Sequence, residues 1–302
     1  MEAADDVLQP VRVTKDAARG RDWALVLESA GVPYRLDETE AGVAILVDGT
    51  ALAAAQLALA AFDRETAERA SADVPVPDRG PSAAGAVVAL ALSAFYAVTG
   101  PGGGSGARSW GAAGSALVDR LIGGGQWWRA VTALTLHSDL GHLAGNAVAA
   151  LIFVTALGRW VGGPAALWLT IGAGAVGNVF AALWHGAGHN SLGASTATFG
   201  ALGALGGLQL MRRRPAILRR RRGQAVVAAL LGLFAMLGVG AHSDIAAHAF
   251  GLLAGAVLGA MAALLAGPAI RRPQRPLTSA ALSLAALAAV IGCWALALAA
   301  PR

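Results

Sequence analysis

Beyond residue 80 the chain is a succession of apolar runs broken by glycine, proline and arginine. A helix that crosses a bilayer needs about 20 mostly apolar residues. Seven stretches reach or approach that length: 82–99, 141–159, 164–184, 195–211, 225–241, 246–266 and 278–299. The fourth is short. Its 17 residues extend about 25 Å at about 1.5 Å per residue, against roughly 30 Å of hydrocarbon. Its first residue, Ser195, is therefore expected below the outer membrane surface, reached by water through a cavity.

The first seventy residues follow other periods. Residues 7–14, 34–36 and 43–47 read as strands. Residues 21–30 predict a helix with Trp23, Val26 and Leu27 on one face, stopped by Gly31-Val32-Pro33. Asp48-Gly49 turns the chain into a second helix over 50–69, with Leu52, Leu57, Leu59 and Phe62 apolar. The pattern predicts a small soluble α/β domain at 1–71, with no catalytic constellation. Pro75, Pro77 and Pro81 make 72–81 a stiff linker. Residues 82–267 would then hold six spans and 268–302 a seventh.

Charge sharpens this division. Only 14% of residues are charged and mean hydropathy is +0.59, where soluble proteins are about a quarter charged. Residues 1–80 hold 15 of the 18 acids and 8 of the 23 basic residues, a net −7; the remainder is net +12. That excess sits in loops between spans, so the basic pI calls for no nucleic acid. Arg212–Arg214, Arg219–Arg222, Arg271, Arg272, Arg275 and Arg159 fall on one side if the N-terminus is cytoplasmic. The stretch 100–140 and the starts of the second, fourth and sixth spans then face outward. Met1 to Asp6 is acidic and predicts no cleaved leader. Cys293 stands alone, so no disulfide framework is expected. One lysine against 22 arginines points to a GC-rich bacterial coding sequence, hence to the inner membrane.

Polar residues head three of the outward-facing starts: His142, Ser195 and His248. Polar groups at membrane depth are costly and carry function by default. Ser195, Phe199, Gly203 and Gly207 recur every four residues, as do His248, Gly251, Gly255 and Gly259. Glycine faces let helices approach closely in lipid, which would bring Ser195 and His248 together. His142 and Asn146 share a helix face and could aim two donors at one oxyanion. A serine, a histidine and such donors are the parts of nucleophilic acyl transfer. Taken singly, the stripes read as helix packing and the His/Asn pair as interhelical hydrogen bonding. No carboxylate is an evident third member, since Asp139 and Asp244 lie in loops. His185 and His189 could pair on a metal, but no third ligand and no His-Glu-x-x-His accompanies them. They are expected to be solvated, and no metal or cofactor is expected. His137 and His242 are expected to line the outer cavity, and Trp110, Trp127 and Trp128 to sit at the membrane interface.

From Gln126 to about Gly259 the chain resembles the rhomboid intramembrane serine proteases. Gln126-Trp-Trp-Arg129 is similar to the Trp-Arg element of that family's first loop. His137, His142 and Asn146 are similar to its second-helix pattern, Gly193-Ala-Ser195 to its nucleophile motif, and Ala247-His248-(two)-Gly251-(three)-Gly255 to its sixth-helix histidine motif. The resemblance implies an all-α polytopic membrane protein, with a six-helix core, here extended by a seventh C-terminal helix and the N-terminal domain. It implies an endopeptidase that cuts transmembrane segments of other proteins within the lipid bilayer. Ser195 and His248 would form a catalytic dyad, His142 and Asn146 would hold the oxyanion, and Trp128 and Phe199 would meet substrate. Two positions depart from the family. Thr196 replaces a glycine and is expected to crowd the oxyanion site; Phe199 replaces a common tyrosine. The rival readings are an inactive relative that binds transmembrane helices, and a transporter. The second expects polar residues through the whole bilayer, whereas here they stop at the outer third.

Overall fold

The structure is a computed structural model that describes residues 8–72, 80–106, 108–211, 224–225, 227–233, 244–266 and 275–300. The chain divides into two compact units between Val74 and Pro75. In the first, β1 (Gln9–Thr14), β3 (Gly42–Val47) and β2 (Arg35–Thr39) form an antiparallel sheet in that order. Helices α1 (Ala17–Ser29) and α2 (Leu52–Ala72) pack with it. Leu27, Ile45, Val47 and Leu59 are fully buried and Trp23 nearly so. Asp63 locks the two helices: it accepts from Trp23 Nε1 at 3.0 Å and from Arg19 Nη2 at 3.2 Å.

The second unit is helical. α3 (Ala84–Thr99) is followed by a folded connection holding α4 (Trp110–Gly114), β4 (Ala116–Leu117) and α5 (Arg129–Thr132). Then come α6 (Leu140–Val161), α7 (Gly163–His185), β5 (Asn190–Ser191), α8 (Ser195–Leu210), α9 (Ile245–Ala266) and α10 (Pro276–Ala299). Among the described residues α6, α7, α9 and α10 are long and apolar enough to cross a membrane; α3 is apolar but shorter. The expected fifth span, 225–241, lies largely outside the described residues, as do the arginines of 212–222. Residues 227–233 are helical.

Burial in this unit is inverted relative to a soluble protein. Leu90, Leu253, Leu264 and Leu284 are exposed on helix surfaces, whereas Arg129, Thr132, Asn146, Asn178 and His248 are buried. Apolar surface faces outward because lipid is its solvent, and polar groups turn inward to find partners.

α8 is the central helix, buried from Thr196 to Ala204 and again from Gly206 to Leu208. Its glycine face meets that of α9. A Cβ added at Gly203 would strike Leu252 O, and one at Gly207 would strike Ala256 O. In return, a Cβ at Gly255 would strike Gly200 O, and one at Gly259 would strike Ala204 O. No larger residue fits while these backbones touch. Thr196 is built into the same seam. Its Cγ2 lies beside Gly177 of α7 and Gly251 of α9, and the residue is 3% exposed.

Gly255→Val is expected to prevent normal packing, since overpacking against side chains already costs about 1–3 kcal/mol and backbone yields less. Thr196→Gly is expected to lower stability by about 1–2 kcal/mol, through a void in the seam and a flexible helix start. Thermal unfolding of the purified variants checks both; a melting temperature for either at or above that of wild type contradicts this packing.

Candidate active site

The connection between α3 and α6 is a scaffold for the loop that precedes Ser195. Its hub is Arg129, which donates from Nε to Gln126 Oε1 at 2.7 Å, from Nη1 to Ser115 O at 2.8 Å and from Nη2 to Ala112 O at 2.9 Å. A buried guanidinium tied to neutral acceptors is costly to displace. Beside it, Thr132 Oγ1 donates to Gly114 O at 2.6 Å. Strand β4 pairs antiparallel with β5 through Ala116–Ser191 and Leu117–Asn190. Gly188 N donates to Asp119 Oδ2 at 2.9 Å, and Gly193 N to Ala133 O at 2.9 Å. The chain thus enters α8 along a fixed path, with Ser195 as its first residue.

Gly193 makes the approach to α6 possible. Its φ is +132°, and a Cβ there would lie 2.5 Å from His142 Cε1 and 2.7 Å from its Nε2. Only glycine lets the turn before Ser195 lie against that imidazole. His142 is held in the first turn of α6. Asp139 caps the helix by accepting from His142 N at 2.9 Å, and Ser138 Oγ lies 3.1 Å from His142 Nδ1. Asn146 follows one turn later, 5% exposed, with Nδ2 lacking a hydrogen-bond partner among the described residues. A buried, unused donor of this kind is costly unless something is brought to it.

His248 lies in the first turn of α9 and is 6% exposed. Its N–H donates to Asp244 O at 3.0 Å, and its ring stacks on Phe199 at 4.7 Å. Ser195, His248, His142, Asn146 and Phe199 all line one cavity of about 1190 Å³. The arrangement offers a hydroxyl, an imidazole, an amide donor and room for an extended substrate.

Other sequence expectations fare differently. Trp128 does not line the cavity; it packs with Leu136, Ala113 and Trp294. Trp110 joins the same cluster against Phe95 and Trp294, so of the three tryptophans Trp127 alone is exposed. His137 does not line the cavity either. It is fully buried, with its ring 5.2 Å from that of His142. His242 lies outside the described residues. Thr196, expected to crowd the oxyanion site, turns instead into the helix seam, because Gly177 and Gly251 leave room for its methyl group. His185 and His189 are not simply solvated. Their Nε2 atoms lie 2.9 Å from Asp244 Oδ1 and Oδ2, and their rings stack at 3.8 Å. Sequence spacing could not reveal Asp244 as their partner, since it is more than fifty residues away.

Known proteins are similar in sequence to part of this chain. The rhomboid domain family matches residues 124–264. YdcA of Bacillus subtilis (strain 168), a candidate rhomboid protease by its name, is 28% identical over 137 residues, which cover 45% of this chain and 68% of YdcA. The rhomboid protease GluP of the same organism is 36% identical over 99 residues, or 33% of this chain and 19% of GluP.

His137 makes stability depend on pH. Burial foremost, then the neighbouring His142 ring, pushes its pKa down from 6.5 to about 4. Between those values the unfolded chain binds more protons than the folded one. His137 therefore imposes no penalty above about pH 6.5, and costs stability progressively as pH falls toward 4, on the order of 3 kcal/mol in all. His137→Leu is expected to flatten this part of the profile in denaturant titrations from pH 7 to 4. An unchanged slope would show that His137 does not titrate in this way.

Proposed function

The chain belongs to the rhomboid family, and from that membership we propose that it is an intramembrane serine endopeptidase. It is a multi-pass membrane protein whose expected substrates are transmembrane segments of other proteins. One observation carries the proposal: Ser195, His248, His142 and Asn146, drawn from three helices, line a single cavity.

In the proposed reaction His248 accepts the Ser195 proton as Oγ bonds to a peptide carbonyl carbon. The developing oxyanion is met by Asn146 Nδ2, by the His142 ring and by the Ser195 backbone N–H at the start of α8, where helix N–H groups lack intrahelical partners. The carbon–nitrogen bond then breaks and His248 returns the proton to the leaving amine. Water enters from the cavity, gives a proton to His248 and attacks the acyl carbon, and Ser195 regains its proton. Stacking on Phe199 fixes the His248 ring. Asp139 and Asp244 take other parts, as the α6 cap and as the partner of His185 and His189.

Ser195→Ala and His248→Ala are expected to abolish cleavage of a transmembrane reporter. Ser195→Ala should leave the melting temperature near that of wild type, while His248→Ala, which removes a buried ring stacked on Phe199, should lower it. Asn146→Ala should lower the rate by roughly 100- to 1000-fold, the usual cost of one oxyanion donor. A fluorophosphonate probe should label wild type and not Ser195→Ala. If wild type and Ser195→Ala behave alike in both assays, the chain is a helix-binding relative that does not cut.

We further propose that residues 1–71 form a cytoplasmic domain joined by the linker 72–81 to the core 82–267 and the added helix 268–302, in a bacterial inner membrane. Cysteines introduced one at a time into a Cys293→Ala background test this orientation. Those among 1–71 should resist an impermeant thiol reagent applied outside, and those among 120–125 should react. The reverse pattern refutes it.

A further inference from the structure

His185 closes α7, His189 leads into β5 and Asp244 caps α9, its Oδ1 accepting from Ala247 N at 3.0 Å. Three separate elements thus deliver two imidazoles and a carboxylate to one point on the cavity rim. One ligand atom from each lies within 4.8 Å of the others. The loop between the histidines is fixed on both sides, through Gly188 N on Asp119 and through Val118 N on His189 O at 3.0 Å. Asp244 presents one carboxylate oxygen to each imidazole, at 2.9 Å in both cases.

We infer that His185, His189 and Asp244 form a binding site for a divalent zinc-class cation at the rim of the cavity. Two imidazole nitrogens and one carboxylate oxygen are a common set for zinc with one position left open. Zinc–ligand bonds of about 2.0–2.2 Å place neighbouring donors roughly 3.3 Å apart; each imidazole Nε2 already lies 2.9 Å from a carboxylate oxygen, and the three ligand atoms lie within 4.8 Å of one another. Binding requires each Nε2 to present its lone pair, so a proton there moves to Nδ1 or is released. Imidazole ligands select against calcium and magnesium, which prefer all-oxygen shells. The ion would join the end of α7 to the start of α9, one helical turn from His248. Occupancy would thus tie together the two sides of the cavity mouth and hinder entry of a substrate helix. Binding itself does not rest on the protease reading.

The test uses full-length, tag-free protein stripped with chelator and titrated with Zn²⁺ alone. Wild type should bind one equivalent and melt at a higher temperature, and Ca²⁺ or Mg²⁺ should do neither. His185→Gln and His189→Gln keep an N–H for Asp244 but lose a ligand. Outer-shell changes alone cost roughly 10- to 100-fold in affinity, so each variant should lose at least that. Ser195→Ala and His142→Ala should bind as wild type does. Binding that survives the double glutamine variant, disappears with His142→Ala, or is absent from wild type overturns the inference. Should the glutamine variants fail to fold, X-ray absorption on zinc-loaded wild type decides: two imidazoles in the shell support the site, and fewer refute it. In a reporter-cleavage assay, the ratio of rates with and without Zn²⁺ should fall below one for wild type and stay near one for His189→Gln. Loss of that ratio with binding intact would sink the gating role alone, and absence of any cleavage would bear on the protease reading alone.

Discussion

The seam between α8 and α9 is the constraint on which the helical unit depends. Glycines on each helix touch carbonyl oxygens of the other, so the two backbones lie as near as chemistry permits. In lipid, association gains little from the hydrophobic effect, and close van der Waals contact takes its place. That closeness brings the heads of the two helices to one cavity. It also leaves α8 enclosed, so a polar residue at its start is shielded from lipid. Thr196 shows how a departure from the family pattern is absorbed: glycines on two neighbouring helices provide the space its methyl group needs.

The second determinant is the connection between α3 and α6. It is a hydrogen-bonded scaffold. Arg129 and Thr132 donate to the backbone carbonyls of Ala112, Gly114 and Ser115 and so tie the connection to itself. The β4–β5 ladder and the Gly193–Ala133 bond then set where the chain turns into α8. The added helix α10 takes part in the same scaffold. Trp294 packs over Gly114 and donates to Thr135 Oγ1 at 3.1 Å. Such a network gives the nucleophile candidate a rigid base, which positioning in catalysis demands.

The rim of the cavity carries a second group of polar side chains, distinct from the cluster around Ser195. Asp244 belongs to both neighbourhoods. Its backbone carbonyl accepts the N–H of His248, while its side chain meets His185 and His189. Events at the rim therefore have a covalent route, one helical turn long, to the imidazole proposed as the base.

Several features were legible in the sequence because they depend on local periodicity. Apolar runs, glycine stripes and the shortness of the segment headed by Ser195 follow from residue spacing alone, and the six spans that lie within the described residues start and stop within a few residues of those expectations. The pairing of the Ser195 stripe with that of His248 follows from the same spacing once the helices must pack closely. Tertiary structure decided what spacing does not encode. Trp128 and His137 lie beside the motif residues in sequence, yet the fold turns Trp128 into an aromatic cluster and buries His137 whole. Thr196 faces the seam rather than the cavity because Gly177, on another helix, leaves room there. Asp244 joins His185 and His189 across more than fifty residues because the end of α7 lies beside the start of α9. Periodicity assigns a residue to a face of its own helix; what that face meets is set by the neighbours the chain brings to it.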